Sequence, residues 1–554
     1  MAPLIQDSLS PDRCRVLAKR AFVAVVLWRL FYLIPFTSIY DLVGDESYYW
    51  DWGRHLDWGY YSKPPMIGWL MGVVGRLSGN TELGVRLASL VLGSISLWLL
   101  YKLADRLYGA RVGLLALLLG ALTPANAGLN LLLTIDAPLV LCWTAALLVF
   151  WSLIHEPGNH RLWVLLCVIL GLGELSKQMM LIFPLLMIVF CKVNEQARPL
   201  LRLRAFWLCI GGSLLFLLPP LIWNAQHGWV TVTHTGSHFQ VKPDSTLLDH
   251  LGMFGGFLGL QLVIFSPITW LILMAAAFGG LWKWKVLEGR ERYLVLFSAP
   301  ALAVFVLLSL RQNVNANWPA VFYLSAVVLG AAWLDRQALA MLPWGKLQGM
   351  ARLALWMGLV FSVVVYLTLL IVNFTPLAGS SFDPALRLRG WREVGRQAQA
   401  WLDKVPHPDE TFVVAMGERD HASELAFYMS SHPQIYRFRP ADVIESQYEI
   451  WPDPGDMGYI GGDALILKPS GDPTPLPPSL ERGFLNKVEK LGEIRASLGR
   501  SGDERLYVVY LAREMKFWPG PPTAEDIARM QQRTKEKPQE EGQGTKSVDT
   551  DRSK

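Results

Sequence analysis

The sequence predicts a polytopic α-helical membrane protein with about eleven or more transmembrane helices and a small extracytoplasmic α/β domain at its C-terminal end. Three observations predict it. The 554-residue chain is 52% hydrophobic and only 18% charged, and its mean hydropathy of +0.30 lies well above that of ordinary water-soluble proteins. Apolar runs approaching the roughly 20 residues needed to cross a hydrocarbon core of about 30 Å recur along the first two thirds of the chain. Beyond residue 374 they stop, and short β-branched and aromatic stretches take their place.

In chain order, Arg13, Arg15, Lys19 and Arg20 precede the first apolar run, and no small-residue cleavage pattern follows it, so the start reads as an uncleaved signal anchor. Expected spans cover residues 20–38, 84–101, 112–130, 137–154, 162–176, 178–191, 205–223, 252–281, 293–310, 317–334 and 353–374. The stretch GMFGGFLGL marks 252–281 as a broken or tilted span. Basic residues fill alternate loops: Lys102, Arg106 and Arg111; Lys192, Arg198, Arg202 and Arg204; Lys283, Lys285, Arg290 and Arg292; Arg336, Lys346 and Arg352. The positive-inside rule places these loops in the cytoplasm with the N-terminus. Loop 41–83, the turn at Asp136, segment 224–251 and everything after 375 then face outward. The net charge of +5 is accounted for by these orienting residues and requires no nucleic-acid partner. Cys14, Cys142, Cys167, Cys191 and Cys209 lie in or beside spans without metal-type spacing and imply neither a disulfide framework nor a cysteine metal site. Residues 1–374 thus read as the membrane domain and 375–518 as a soluble module with strands in TFVVAMG, ALILK and RLYVVYLA and a helix in WREVGRQAQAWLDKV. The tail 519–554 has almost no apolar residues and reads as disordered.

The chemistry concentrates in DLVGDESYYWDWGRHLDWGYYSKPP, residues 41–65, a polar, aromatic and acidic stretch after the first span. Ionisable groups at a membrane edge are expensive and point to function. Asp45 and Glu46 stand together there, Asp136 opens the fourth span in LTIDAPL, Lys177 closes the fifth in LGELSKQ, and Lys63 precedes two prolines. A carboxylate can take a proton from a nucleophile, and lysines offer a phosphate mobile point charges. Each residue also has a plainer reading: a helix N-cap for Asp136, snorkelling for Lys63 and Lys177, and for Arg29 an ion pair or snorkelling. Tyr48, Tyr49, Trp50, Trp52, Trp58, Tyr60 and Tyr61 suit either an interfacial belt or stacking on a sugar. His227, His234 and His238 include a pair four residues apart, leaving a divalent metal open with His227 and His234 as candidate ligands.

The ordered run GDESYYWDWGRHLDWGYYSKPPMIGWL, TIDAPL, GLGELSK, WNAQHGWV and NANWPAVFY, followed by FDPALRLRGWREV and HASELAFYM, resembles the bacterial membrane glycosyltransferases of the GT-C fold. The nearest groups are the aminoarabinose-transferase-like and protein-mannosyltransferase-like families, and the likeness covers roughly residues 40 to 460. It implies an inner-membrane enzyme whose C-terminal domain is periplasmic. Such an enzyme takes a sugar from a polyprenyl-phosphate carrier, with inversion, and passes it to lipid A, another envelope glycolipid or a protein. The motifs carry over as Asp45 and Asp136 for catalysis, Lys63, Lys177 and Tyr60 for the donor phosphate, and Glu46, Tyr48 and Tyr61 for contacts to sugar or acceptor. Two positions depart from the aminoarabinose transferases: Tyr48 stands where they have an arginine, and Ser62 where they have a glutamate. A transporter is the reading from another class, but no internal repeat supports it.

Overall fold

The computed structural model describes residues 10–237, 246–336, 344–438, 444–471, 475–486 and 488–519. The chain divides into two compact units, one of Met1–Leu33, Lys63–Ile67 and Val85–Leu367, the other of Ile34–Ser62, Gly68–Gly84 and Thr368–Lys554. The outer segment 41–83, expected beside the spans, therefore falls mainly in the second unit with the C-terminal residues. Residues 520–554, expected to be disordered, lie outside the described residues.

The first unit is helical. Every expected span falls on helix, and among the described residues seven helices are long and apolar enough to cross a membrane, or eight if the bent pair Ala110–Ala121 and Pro124–Leu131 counts as one span. Gln178–Val193 and Ala320–Leu334 are shorter apolar helices, as is His160–Ser176 at 17 residues. Its core is built on aromatic edges: Trp143 meets Phe183 and Phe322 edge-on at centroid distances of 5.0 and 5.1 Å, and the Tyr293 hydroxyl donates to Leu147 O at 2.8 Å.

Two of the breaks in these helices have local causes. Between Ala121 and Pro124 the axis turns by 70°. Thr123 caps the second piece by accepting from Asn126 N, and Pro124 occupies its first turn. A broken apolar helix frees carbonyls that must find donors. Arg29 Nη2 donates to Ala121 O at 3.0 Å and to Asn126 Oδ1 at 2.8 Å, while Ser362 Oγ donates to Leu122 O at 2.7 Å. Arg29 is buried, so it does not snorkel, and among the described residues its partners are this carbonyl and amide rather than an acid. Segment 252–281 is indeed broken, but at Ser266, whose φ is +63°, just before Pro267, rather than at its glycines. Leu247–Phe265 and Pro267–Trp282 are the resulting pieces.

The second unit contains a five-stranded sheet in the order β2-β1-β3-β5-β4, where β1 is Phe412–Met416, β2 Ile435–Phe438, β3 Ala464–Pro469, β4 Glu489–Ser497 and β5 Glu504–Ala512. Strand β1 pairs in parallel with β2 (Val413 opposite Ile435) and β3 (Val413 opposite Leu465). Strand β5 is antiparallel to β3 (Leu465 opposite Leu511) and β4 (Ile494 opposite Tyr507). The continuous apolar runs of β1 and β3 suit buried central strands. Helix Trp391–Leu402 packs on β4. At the β4 irregularity between Lys490 and Gly492, a Cβ on Gly492 would stand 2.7 Å from the Trp401 ring, so glycine admits the indole there. Gly417, with φ +104°, turns the chain out of β1 into helix Arg419–Tyr428.

Candidate active site

Residues Gly44–Arg54 form a helix rather than an open loop, and Asp45 lies in its first turn. This helix packs against Arg419–Tyr428 within the second unit. Small side chains permit the crossing. A Cβ on Gly44 would stand 2.5 Å from Asp420 Cβ, and Ser47 Oγ lies 2.9 Å from Ser423 Oγ. Asp45 Oδ1 accepts from Arg419 Nη2 at 2.9 Å, with both side chains partly exposed. The Arg419 guanidinium also lies over the Tyr48 ring, 5.0 Å from its centroid. Burial opposes the Arg419 charge, but Asp45 and the phenols of Tyr48 and Tyr49 outweigh it and hold the guanidinium more firmly protonated than usual. Among the described residues Asp45 Oδ2 has no protein partner.

The neighbours of Asp45 are fixed from several sides. Glu46 is buried and its Oε2 accepts from Val43 N at 3.2 Å, closing the helix start. The Tyr48 hydroxyl accepts from Gln447 N at 2.6 Å, and Gln447 Oε1 accepts from Tyr61 N at 2.7 Å. Burial pushes the Tyr48 phenol well above the ordinary range. At the far end of the helix the buried Asp51 accepts from Tyr448 at 2.7 Å and Arg54 Nε at 3.0 Å. Tyr60 is also buried: its ring stacks on Trp52 at 4.3 Å. Its hydroxyl sits among Asp57 N, Trp52 O and His55 O at 3.1, 3.0 and 3.1 Å. The group aimed at the carrier phosphate by the sequence reading is thus engaged with backbone.

In the first unit Asp136 begins helix Asp136–His155 but caps nothing; the cap position is Ile135. Its carboxylate instead accepts from Lys177 Nζ at 2.8 Å through Oδ1 and from Asn317 Nδ2 at 2.6 Å through Oδ2. Lys177 stands just past helix His160–Ser176 in extended conformation, and the two charged side chains are only 12% and 11% exposed. Lys177 does not snorkel. Asn317 was not singled out from the sequence; the signal available was its amide in NANWPAVFY, at the start of an apolar helix. Lys63, half-buried, belongs to this unit too. Glu174 is a further buried carboxylate, accepting from Ser213 Oγ at 3.2 Å. His227 stacks on Trp223 at 4.1 Å, with Nδ1 2.7 Å from Trp223 O, and His238 lies outside the described residues. Among the described residues no group of three or more His, Cys, Asp or Glu side chains is placed to hold a metal ion.

Residues 62–223 match the profile of the dolichyl-phosphate-mannose-protein mannosyltransferase family. The fold is similar to that of ArnT from Cupriavidus metallidurans bound to undecaprenyl phosphate, with a TM-score of 0.56 and 18% identity over 90% of this chain and 99% of that one. The chain shares that fold. It is 27% identical over 434 residues to the lipid A galacturonosyltransferase RgtD of Rhizobium johnstonii, covering 76% of this chain and 85% of that protein. It is 24% identical over 339 residues to the undecaprenyl phosphate-alpha-4-amino-4-deoxy-L-arabinose arabinosyl transferase of Edwardsiella ictaluri, covering 57% of this chain and 59% of the relative.

Proposed function

We propose that this protein transfers a sugar from a polyprenyl-phosphate carrier to lipid A or a related envelope glycolipid on the outer face of the bacterial inner membrane. The observation that carries the reading is the Asp136, Lys177 and Asn317 cluster: a charged pair held by an amide at the ends of apolar helices, where ionised groups are kept for use. The activities of the relatives, a lipid A galacturonosyltransferase and an undecaprenyl-phosphate arabinosyl transferase, support these donor and acceptor classes. About eleven spans, a cytoplasmic N-terminus and a periplasmic C-terminal domain complete the proposed topology, supported by the alternation of basic loops.

In the proposed reaction an acceptor hydroxyl displaces the carrier phosphate at the anomeric carbon with inversion. The bond from that carbon to the phosphate oxygen breaks, and its electron pair leaves on the phosphate. The hydroxyl proton passes to Asp45, whose Oδ2 is open to receive it. Lys63 and Lys177 offset the charge growing on the phosphate, the class of electrostatic help that contributes most to such reactions. Asp136 positions sugar or acceptor, and Asn317 fixes Asp136. Tyr60, stacked on Trp52, sets the path of the chain toward Lys63. Glu46, Tyr48 and Tyr61 shape the wall around Asp45.

The test is mass spectrometry of lipid A from a strain lacking the protein. Lipid A short of one glycosyl unit, restored by the wild-type gene, supports the reading; unchanged lipid A overturns that acceptor. The partial match to a protein mannosyltransferase family favours a second acceptor class, which would show as a glycan missing from an envelope protein instead.

A further inference from the structure

We propose that Arg419, from the helix that follows β1, is the positioning residue for Asp45. The inference rests on the reading of Asp45 as the group that receives the acceptor proton. The Arg419 guanidinium lies over the Tyr48 ring, one helical turn after Asp45, 5.0 Å from the centroid. From there Nη2 reaches Asp45 Oδ1 at 2.9 Å. One carboxylate oxygen is thereby pinned, and the other is left without a protein partner among the described residues, the arrangement a proton acceptor needs.

Two features argue that the contact serves more than folding. An ion pair as exposed as this one, 37% and 47% for the two side chains, contributes little to stability. Yet the crossing that brings it together is built tightly, because any side chain at Gly44 would strike Asp420, the residue next to Arg419. Arginine rather than lysine suits the place: its planar face lies over an aromatic ring while its edge donates to a carboxylate. Arg419 Nη1 and Nε have no hydrogen-bond partner among the described residues, while the guanidinium lies over the Tyr48 ring and pairs with Asp45.

The experiment uses the purified full chain in detergent. Its probe is the total polar lipid extract of a strain lacking the protein, with consumption of polyprenyl-phosphate sugar followed by mass spectrometry. Arg419→Ala is expected to lower kcat by about 100-fold, as a small misplacement of a reacting group does, with apparent KM for the extract nearly unchanged. Added guanidinium at millimolar concentration should restore much of the loss, because a partly exposed slot over Tyr48 is left open. Arg419→Lys should fall between wild type and Arg419→Ala, and it stands in if the alanine variant does not fold. Full activity of Arg419→Ala beside an inactive Asp45→Asn would overturn this inference and leave the proposed function intact. Full activity of both would overturn the role of Asp45 itself. A slow Arg419→Ala with a lowered Tm and no guanidinium rescue would make the arginine a packing element and overturn the inference as well.

Discussion

Replacing Lys177 with methionine keeps the apolar stem and removes the ammonium, leaving the Asp136 carboxylate with the Asn317 amide as its partner in the cluster. The magnitude follows from exposure. Orphaning one member of a fully buried ion pair costs about 3–5 kcal/mol, whereas exposed pairs contribute about 0–1 kcal/mol. At 12% and 11% exposure this pair lies near the buried limit, and the charge-assisted bond from Asn317 remains, so about 2–3 kcal/mol is expected. A double-mutant cycle of Lys177→Met, Asp136→Asn and both together, read by detergent-induced unfolding, isolates the coupling. The double variant should recover most of the stability lost in Lys177→Met, since neither charge is left alone, while transfer stays lost in all three. A coupling below about 0.5 kcal/mol, or a double variant as unstable as Lys177→Met, would refute the pairing argument.

Glu424 is fully buried on helix Arg419–Tyr428, and burial, with Asp41 and Asp420 nearby, raises its carboxyl well above the usual range. The folded state therefore keeps a proton that the unfolded chain releases above about pH 4.3. Stability should fall as pH rises through that window, by up to about 1.4 kcal/mol per pH unit. Glu424→Gln should flatten the dependence and raise Tm most at the alkaline end, as measured by tryptophan fluorescence; an unchanged slope would contradict it. Tyr60→Phe removes a hydroxyl shared by three backbone groups and should cost about 1–3 kcal/mol of stability with little change in kcat. A large loss of kcat at unchanged stability would instead place that hydroxyl on the phosphate. Arg29→Leu should destabilise by about 1–3 kcal/mol in detergent unfolding, because Ala121 O loses its donor at the helix break; wild-type stability would mean that the break supports itself.

What could be read from the sequence follows contact range. The apolar helices and strands β1, β3 and β5 announce themselves by local periodicity and composition. Strand β2 has only four residues, and the edge strand β4 is mostly polar, so neither stands out. Asp45, Lys63, Asp136 and Lys177 were legible because charge in an apolar chain is costly. Their partners were not: Arg419 lies 374 residues from Asp45 and Asn317 lies 181 from Asp136, and no local pattern encodes contacts of that range. Tyr60 shows the converse. Its place beside the K-P lysine suggested a phosphate contact, while the fold spends its hydroxyl on three backbone groups. Arg29 was open between ion pairing and snorkelling because the helix break it satisfies becomes visible only in three dimensions.

The most direct test of the central claim is mass spectrometry of polyprenyl-phosphate lipids from cells lacking the protein, cells carrying the wild type and cells carrying Asp45→Asn. Accumulation of one polyprenyl-phosphate sugar in both the null strain and the variant, with the variant protein present at normal abundance, is the expected result and would identify the donor. An identical lipid pool in all three strains, under conditions where the wild type is expressed, would contradict the account.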